Sequence, residues 1–231
     1  MGYTRSDIIK KCIDALDDIA HFYKQSFINY RGKTSDTGEL YNEIIAEFVC
    51  NNIDKFERIP MITRKESYKT KGHDGIYNPN SNRLEEITAM QMYNQCKDGS
   101  IYDFIGKIID YQTPLKNSKT DDAGKIDLLS LADSVLYILE LKKEDSTETM
   151  LRCILEGYTY LKTADVEKLV SDYGLTGKVD NVKTSPFVFK GREQWQEMQE
   201  RRPWLNRLID LLDTKPYYIS KINEKYYVEE K

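Results

Sequence analysis

Residues 124–142 read GKIDLLSLADSVLYILELK, and this stretch decides the predicted fold. It contains two apolar runs of the kind that form strands, separated by small or polar residues around Asp133 and Ser134 that favour a turn. If Asp133 and Ser134 form the loop, an antiparallel hairpin places Asp127 opposite Glu140. The sequence therefore predicts a β-hairpin on which two carboxylates face each other.

The predicted hairpin places these carboxylates in apolar surroundings. Side chains directly opposite each other in an antiparallel pair have Cβ atoms about 4.5–5.5 Å apart, and like charges there are destabilising unless they are compensated. Strand alternation puts Lys142 on the same face as both acids. That face also carries Leu129, Leu131, Leu136 and Ile138, and the other face carries Ile126, Leu128, Ser130, Val135, Tyr137, Leu139 and Leu141. Two apolar faces indicate a strand pair covered by helices on both sides.

A divalent metal ion would give the paired acids a function. Such an ion is bound by carboxylates, keeps waters and a phosphate oxygen among its ligands, and activates water for attack on a phosphodiester. The alternative is structural, because Glu-x-Lys is a common tripeptide that often marks a strand end reaching solvent. The paired Asp127 and the apolar surroundings favour the metal site.

The pattern of residues 124–142 also resembles a known family. Gly-x-Ile-Asp, a turn, and an apolar run ending in Glu-Leu-Lys are similar to the active-site hairpin of the PD-(D/E)XK nuclease superfamily. The resemblance covers residues 84–190 and implies an α/β fold with a restriction-endonuclease-like core of a helix, three antiparallel strands, a helix and a further strand. It implies that Asp127 and Glu140 bind Mg²⁺ or Mn²⁺ and that Lys142 is catalytic. No Pro precedes Asp127, a departure that the superfamily tolerates.

Composition limits the class of protein. The chain has 231 residues, of which 31% are charged and 40% hydrophobic, as in a globular protein. It has neither a long apolar run nor an N-terminal signal-peptide pattern, so we expect a cytoplasmic protein without a membrane partner. Four scattered Cys and two His argue against a zinc site. The formal net charge of −4 offers nucleic acid no overall attraction, which leaves local basic patches to bind phosphate.

The regions flanking the nuclease-like core are predicted to be additions to it. We expect an N-terminal helical addition at 1–57, the core at 58–190 and C-terminal helices with a hairpin at 191–231, all in one compact unit. The predicted additional elements are helices over residues 4–30, 37–56, 193–202 and 204–213 and a hairpin over 216–230. Glu39, Glu43 and Glu47 share a helix face, which is typical of a solvated surface. A catalytic role for Glu43 is the less favoured alternative.

Residues 58–83 form a turn-rich segment with a local excess of positive charge. Lys69 and Lys71 could follow a phosphate backbone there, and Tyr68 or Tyr77 could stack on a base. A solvated loop that happens to be basic explains the same composition equally well. We expect His73 to form hydrogen bonds within this segment.

Two acids near the start of the core are candidates for a further metal ligand. A helix is predicted over residues 83–96, and Glu86 shares its apolar side with Ala89, Met90 and Tyr93. The superfamily often supplies an additional metal ligand from this helix, so Glu86 is the first choice and Glu85 the second. Both acids could instead stabilise the helix N-terminus. On the following strand, over residues 107–116, Asp110 could be an extra acid near the metal, and a strand-edge residue is the preferred interpretation.

A helix over residues 146–162 follows the hairpin. Asp145 and Glu148 have the spacing of a capping box. Arg152 and Glu156 are four residues apart, and an exposed ion pair is the default interpretation. In several branches of the superfamily a polar or basic residue on this helix reaches back to the site, which makes Arg152 a candidate substrate-binding residue.

These expectations lead to one preferred function and its alternatives. The sequence predicts a Mg²⁺- or Mn²⁺-dependent deoxyribonuclease whose site residues are Asp127, Glu140, Lys142 and Glu86, with DNA as its partner. The alternative is a non-catalytic nucleic-acid-binding or protein-interaction module that retains the nuclease fold. A subunit of a mobile-element or defence system is a third interpretation. The choice between DNA and RNA, and whether the chain forms a homo-oligomer, stay open.

Overall fold

The computed structural model describes residues 2–117 and 123–230. Six strands form one mixed sheet in the order β1-β2-β3-β4-β5-β6. Their bounds are β1 Lys107–Pro114, β2 Lys125–Ala132, β3 Val135–Leu141, β4 Asn181–Phe189, β5 Tyr217–Ile222 and β6 Lys225–Glu229. Strands β1 to β3 are antiparallel, β3 to β5 run parallel to one another, and β5 and β6 form an antiparallel hairpin.

Eight α-helices surround this sheet in the described part of the chain. Their bounds are α1 Arg5–Ala15, α2 Tyr41–Asn51, α3 Ile53–Phe56, α4 Leu84–Gln95, α5 Met150–Thr163, α6 Val166–Asp172, α7 Glu193–Gln199 and α8 Pro203–Leu211. The segment from α4 to β4 thus contains a helix, three antiparallel strands, two helices and a strand. This order agrees with the predicted core, apart from the additional helix α6, and the protein has a mixed α/β fold.

The predicted hairpin is confirmed in its register. Ala132 pairs with Val135, and the ladder continues to Leu128 opposite Leu139. Asp133 occupies the turn with a φ of 50°, a left-handed conformation that Asp adopts more readily than most residues. The backbone ladder stops at Leu128, one position after Asp127 in the sequence. At Asp127 the side chain, and not the backbone, accepts a hydrogen bond from β3.

The two faces of the hairpin pack in two hydrophobic clusters. Leu129, Leu136 and Ile138 pack with α5, the N-terminal helices and α8. Leu128, Leu139 and Leu141 pack with α4 and the β5-β6 hairpin. The prediction was wrong for one residue, because Ile126 packs in the cluster of Leu129. The first cluster draws on all three predicted regions, and the boundaries between those regions stay a prediction.

The N-terminal helices are shorter than predicted. Helix α1 ends at Ala15, and the chain continues in 3₁₀ conformation over Leu16–Lys24 and Ser26–Asn29. Asp18 has non-helical backbone angles and its carboxylate contacts His21, and such local hydrogen bonding by Asp competes with regular helix. Helix α2 starts at Tyr41, since a turn around Gly38 and a bridge between Lys33 and Leu40 precede it.

Residues 58–83 lack regular secondary structure, as predicted, and they are tied to the rest of the protein at several points. Ile62 donates its backbone N–H to Thr163 O at the end of α5, and Asn94 on α4 donates to Gly75 O. His73 Nδ1 lies 2.6 Å from Asp110 Oδ1 on β1. The segment therefore runs from α5 to α4 past β1, the edge strand of the sheet.

A search of the helices over residues 2–117 and 123–230 identifies none with the length and apolar character needed to cross a membrane.

Candidate active site

Asp127 lies at the end of the β2-β3 ladder and holds it closed. Its Oδ2 accepts a hydrogen bond from the backbone N–H of Leu141 at 3.0 Å, and its Oδ1 accepts one from Gln112 Nε2 at 3.0 Å. Gln112 lies in β1 with a φ of 47°, which is unusual for a residue with a side chain inside a strand. Backbone strain of this kind concentrates at functional sites. Nothing in the sequence pattern singles out Gln112.

Lys142 is buried and forms short ion pairs with three carboxylates. Its Nζ lies 2.7 Å from Glu140 Oε1, 2.8 Å from Glu148 Oε2 and 2.9 Å from Glu156 Oε2. Glu140 and Lys142 come from β3 and the residue following it, whereas Glu148 precedes α5 and Glu156 lies on it. The hairpin and the following helix therefore build one charged centre.

The partners of these acids extend the centre along α5. Tyr160 donates its hydroxyl to Glu156 Oε1 at 2.9 Å, and Arg152 Nε lies 2.9 Å from Glu148 Oε1. We call this group the lysine cluster, and its members are Glu140, Lys142, Glu148, Arg152, Glu156 and Tyr160. Arg152, Glu156 and Tyr160 repeat every four residues on α5 and so lie along one side of it, and Glu148, just before the helix, continues this spacing.

Close packing of α5 on the sheet makes this centre possible. A Cβ added at Gly157 would lie 2.4 Å from Thr184 Oγ1 on β4 and 3.5 Å from the Glu140 Cβ. Glycine at this position therefore lets the helix approach β4, the neighbour of the strand that carries Glu140. Val or Leu there would hold Glu156 away from Lys142.

Burial and the neighbouring charges shift the pKa values of the lysine cluster in different directions. Burial, followed by repulsion from Glu156, raises the pKa of Glu140 well above its usual value. Burial opposes the shift of Glu156, yet Lys142 and Glu140 lower its pKa. Burial also opposes the shift of Lys142, whose pKa is nevertheless raised well above its usual value by Glu140 and Glu156. The surroundings therefore favour the charged form of Lys142 and disfavour the charged form of Glu140.

Asp127 titrates in the neutral range. Burial, with a smaller contribution from the negative charge of Glu85, raises its pKa to about 7 despite the attraction of Lys142. Protonation of Asp127 and Glu140 relieves an imbalance, since Asp127 and the lysine cluster together carry four carboxylates against two cationic groups. A divalent cation would compensate the same excess charge.

The donor set at the hairpin suits such a cation. Among the residues that the structure describes, none donates a hydrogen bond to Glu140 Oε2, although this atom is buried. The oxygens of an ionised Asp127 each accept one hydrogen bond and keep a further lone pair. Carboxylate oxygens are the ligands that Mg²⁺ prefers, and this ion usually keeps several waters. Over residues 2–117 and 123–230 no group of three or more His, Cys, Asp or Glu is arranged to hold a metal. Of the residues predicted as ligands, Asp127 and Glu140 are the ones that would hold such an ion, with water completing its shell.

The choice of Glu86 over Glu85 on helix α4 is not supported by the packing. Ala89 and Met92 are the buried residues of α4, and Glu85 precedes them by four and seven positions, on the same stripe. Glu85 Oε1 accepts a hydrogen bond from the backbone N–H of Lys143 at 3.1 Å and raises the pKa of Asp127. Glu86 instead pairs with Arg83 at 3.1 Å. These contacts favour Glu85, and the identity of an additional metal ligand stays a prediction.

Arg152 does reach the centre, and its pairing is not an exposed one. Its side chain is 18% exposed, and Nε lies 3.9 Å from Glu156 Oε2 in addition to its closer contact with Glu148. The expected capping box is absent in this described region. Thr149 caps α5 by accepting the backbone N–H of Arg152, which leaves the Glu148 side chain to Lys142.

Sequence reasoning missed the other members of the lysine cluster. Glu148, Glu156 and Tyr160 carry a signal that was available, since polar residues with a spacing of four continue the row of Arg152 along an otherwise apolar helix.

The predicted contacts of residues 58–83 divide into two groups. Tyr68 is fully buried and its hydroxyl accepts the backbone N–H of Asp165, so its ring is not available for stacking on a base. Lys69 and Lys71 are exposed, as a phosphate contact requires. His73 forms a hydrogen bond within the protein, as expected. Its partner Asp110, predicted at a strand edge, is buried and also accepts a hydrogen bond from Tyr173.

Glu43 has a structural role. Its carboxylate accepts the backbone N–H groups of Trp204 at 2.9 Å and Leu205 at 3.1 Å. These are first-turn N–H groups of α8, which have no partner within the helix, so Glu43 acts as its N-terminal cap from another element. The less favoured catalytic interpretation of Glu43 is therefore set aside.

Comparison with protein-family models, with curated proteins and with solved structures gives no match to this chain.

Proposed function

We propose that the protein is a Mg²⁺- or Mn²⁺-dependent nuclease that hydrolyses phosphodiester bonds of DNA, with a PD-(D/E)XK-like core. The observation that carries the proposal is the hairpin itself, on which Asp127 and Glu140 lie beside a buried Lys142. The order of helix α4, strands β1 to β3, helix α5 and strand β4 supports the fold assignment. Since the wider fold hosts many functions, the site residues carry the argument.

Asp127 and Glu140 would hold the metal ion. When bound, a divalent cation supplies the Lewis acidity that phosphodiester hydrolysis requires. The orphaned Glu140 Oε2 and the high pKa of Asp127 support this assignment, because both acids are under-compensated without a cation. Glu85 lies close enough to influence Asp127, and it replaces Glu86 as the candidate for an additional acid.

Lys142 stabilises negative charge in this proposal. Its pKa is raised well above the usual value, so it remains an ammonium group at neutral pH and cannot act as a general base. An ammonium held in a buried site donates hydrogen bonds to the charge that develops on a phosphate oxygen in the transition state. These surroundings favour charge stabilisation by Lys142 over activation of the attacking water.

Variants of Lys142 test this role. Lys142→Ala should abolish cleavage of DNA in Mg²⁺ or Mn²⁺ while leaving metal binding largely intact, because the metal ligands are retained. The measurement is cleavage of single-stranded and duplex DNA, with a circular dichroism spectrum to check folding. Lys10→Ala on the exposed face of α1 is the control and should cleave as the wild type does. Wild-type cleavage by folded Lys142→Ala would refute the mechanism.

The alternative is a non-catalytic binding module that retains the fold. The full engagement of Lys142 by carboxylates is the observation that favours it, since a lysine held in this way is not free to contact a substrate. Such a module needs no metal, so it predicts nucleic-acid or protein binding that is insensitive to Asp127→Ala.

A further inference from the structure

The contacts of Glu148 differ from those of the other acids around Lys142. Its two oxygens bridge two cations, with Oε2 at 2.8 Å from Lys142 Nζ and Oε1 at 2.9 Å from Arg152 Nε. A tetrahedral phosphate presents pairs of oxygens in the same way, and Arg and Lys are its usual partners in proteins. The Glu148 carboxylate thus occupies the position that a phosphate would take between these two side chains.

These bridging contacts are short but poorly aligned. Within the described part of the chain, the buried atoms Glu148 Oε2 and Arg152 Nε have no partner at hydrogen-bonding angles. Glu140 Oε2, a third buried atom without such a partner, belongs to the same cluster. Unsatisfied polar atoms are rare in protein interiors, and several in one place indicate a missing ligand.

Glu148 is also the acid that can leave most easily. Its side chain is 29% exposed, against 3% for Glu140 and 11% for Glu156. It precedes the helix, whereas Glu156 lies within α5 and is also held by Tyr160. Rotation of Glu148 toward solvent would free Arg152 Nε and one of the three carboxylate contacts of Lys142 without moving a strand or a helix.

Arg152 is held in place independently of Glu148. Its Nη1 donates to Tyr23 O at 3.1 Å, and its guanidinium lies 5.7 Å from the centre of the Tyr23 ring. The two cations would therefore keep their positions when Glu148 leaves.

We propose that Lys142 and Arg152 form a binding subsite for a backbone phosphate of nucleic acid, and that the Glu148 carboxylate fills this subsite until the substrate displaces it. The inference rests on the proposed function, because it takes the nuclease substrate as the ligand. It assigns Arg152 to phosphate binding and Glu148 to an autoinhibitory contact. It also explains how a lysine with three carboxylate partners becomes available to a substrate.

Binding measured without metal tests the proposal. The probes are fluorescein-labelled single-stranded and duplex oligonucleotides in EDTA, followed by anisotropy, with inorganic phosphate as a competitor. Glu148→Gln removes the competing charge while keeping the shape, so affinity should rise by about tenfold, the value of one charge-assisted hydrogen bond. Arg152→Gln should weaken binding by a similar factor, and Arg152→Lys should recover part of the loss.

The control is Glu167→Gln on the exposed side of α6, which makes the same change in net charge and should leave affinity unchanged. Unchanged or weaker binding by folded Glu148→Gln would overturn the proposal, as would an equal gain in the control. If Glu148→Gln does not fold, Glu148→Asp replaces it. Its shorter side chain cannot bridge both cations, and it should bind more tightly than the wild type.

Competition by inorganic phosphate distinguishes a subsite that binds free phosphate from one that requires a phosphodiester. Displacement of the oligonucleotide by millimolar inorganic phosphate, more readily in Glu148→Gln, would show that a lone phosphate suffices. Tighter oligonucleotide binding without such displacement assigns the subsite to a phosphodiester. Tighter binding in a protein that fails to cleave with Mg²⁺ or Mn²⁺ would refute the nuclease activity and leave the subsite standing.

Discussion

At the scale of single residues, Asp127 makes the stability of the metal-free protein depend on pH. Its pKa is about 7 in the folded protein against an ordinary 3.8, so the folded state binds the proton more tightly than the unfolded state. The resulting stabilisation is complete below pH 3.8 and is lost as the pH rises from about 4 to 7. Each unit of pKa difference corresponds to about 1.4 kcal/mol.

Asp127→Asn should remove this dependence. The neutral amide keeps an oxygen for the Leu141 N–H, and it should make the metal-free protein more stable than the wild type at pH 8 but not at pH 4. Urea unfolding in EDTA at both values measures the difference. Asp54→Asn, an exposed residue of α3, is the control and should show no such pH-dependent gain. A variant that is less stable than the wild type at pH 8 would contradict the burial of an under-compensated charge.

Glu85 and Glu86 are adjacent in the sequence and differ in their relation to the site. Glu85 acts on the charge of Asp127, whereas Glu86 pairs with Arg83. Glu85→Gln should therefore weaken Mn²⁺ binding several-fold, because it removes a negative charge near the cation. Glu86→Gln makes the same chemical change one position further on and should have little effect. Calorimetric titration of both variants checks this, and a larger effect at Glu86 would restore the original assignment.

At the scale of elements, the contact between α5 and the sheet sets the distance between Glu156 and Lys142. Gly157→Val should destabilise the protein by about 1–3 kcal/mol, the usual cost of inserting atoms into a packed interior. It should also lower cleavage, because the displaced helix carries Glu156 away from Lys142. Denaturant unfolding and cleavage assays measure the two effects. Lys10→Val places the same β-branched side chain on exposed α1 without a packed neighbour, and equal losses in both variants would dismiss the packing argument.

The hairpin and α5 also show how far the sequence could predict the site. Turn residues and alternation are local signals, and they gave the register from Ala132–Val135 to Leu128–Leu139. The contacts of Glu148 and Glu156 with Lys142 depend on how α5 packs on the sheet, although the spacing of these residues was visible in the sequence. The contact of Gln112 with Asp127 depends on an irregular backbone in β1, which no sequence pattern predicts. The spacing on α4 could not decide between Glu85 and Glu86, because apolar residues lie on more than one side of this helix.

At the scale of the whole molecule, the protein is acidic, and part of its excess of carboxylates lies in one place. The formal net charge is −4, and the excess of two carboxylates around Asp127 and the lysine cluster is buried between the hairpin and α5. A divalent cation would neutralise this centre and prepare it for an anionic substrate. The proposed nuclease activity therefore depends on whether Asp127 and Glu140 bind metal.

The most direct measurement is calorimetric titration of Mn²⁺ into the wild type and Asp127→Ala at pH 8, where Asp127 is largely ionised in the wild type. We expect the wild type to bind Mn²⁺ and folded Asp127→Ala not to bind it. DNA cleavage should be lost in the same variant. If the folded wild type fails to bind Mn²⁺, even with DNA present, the hairpin acids are structural. The nuclease proposal would then give way to the non-catalytic binding module.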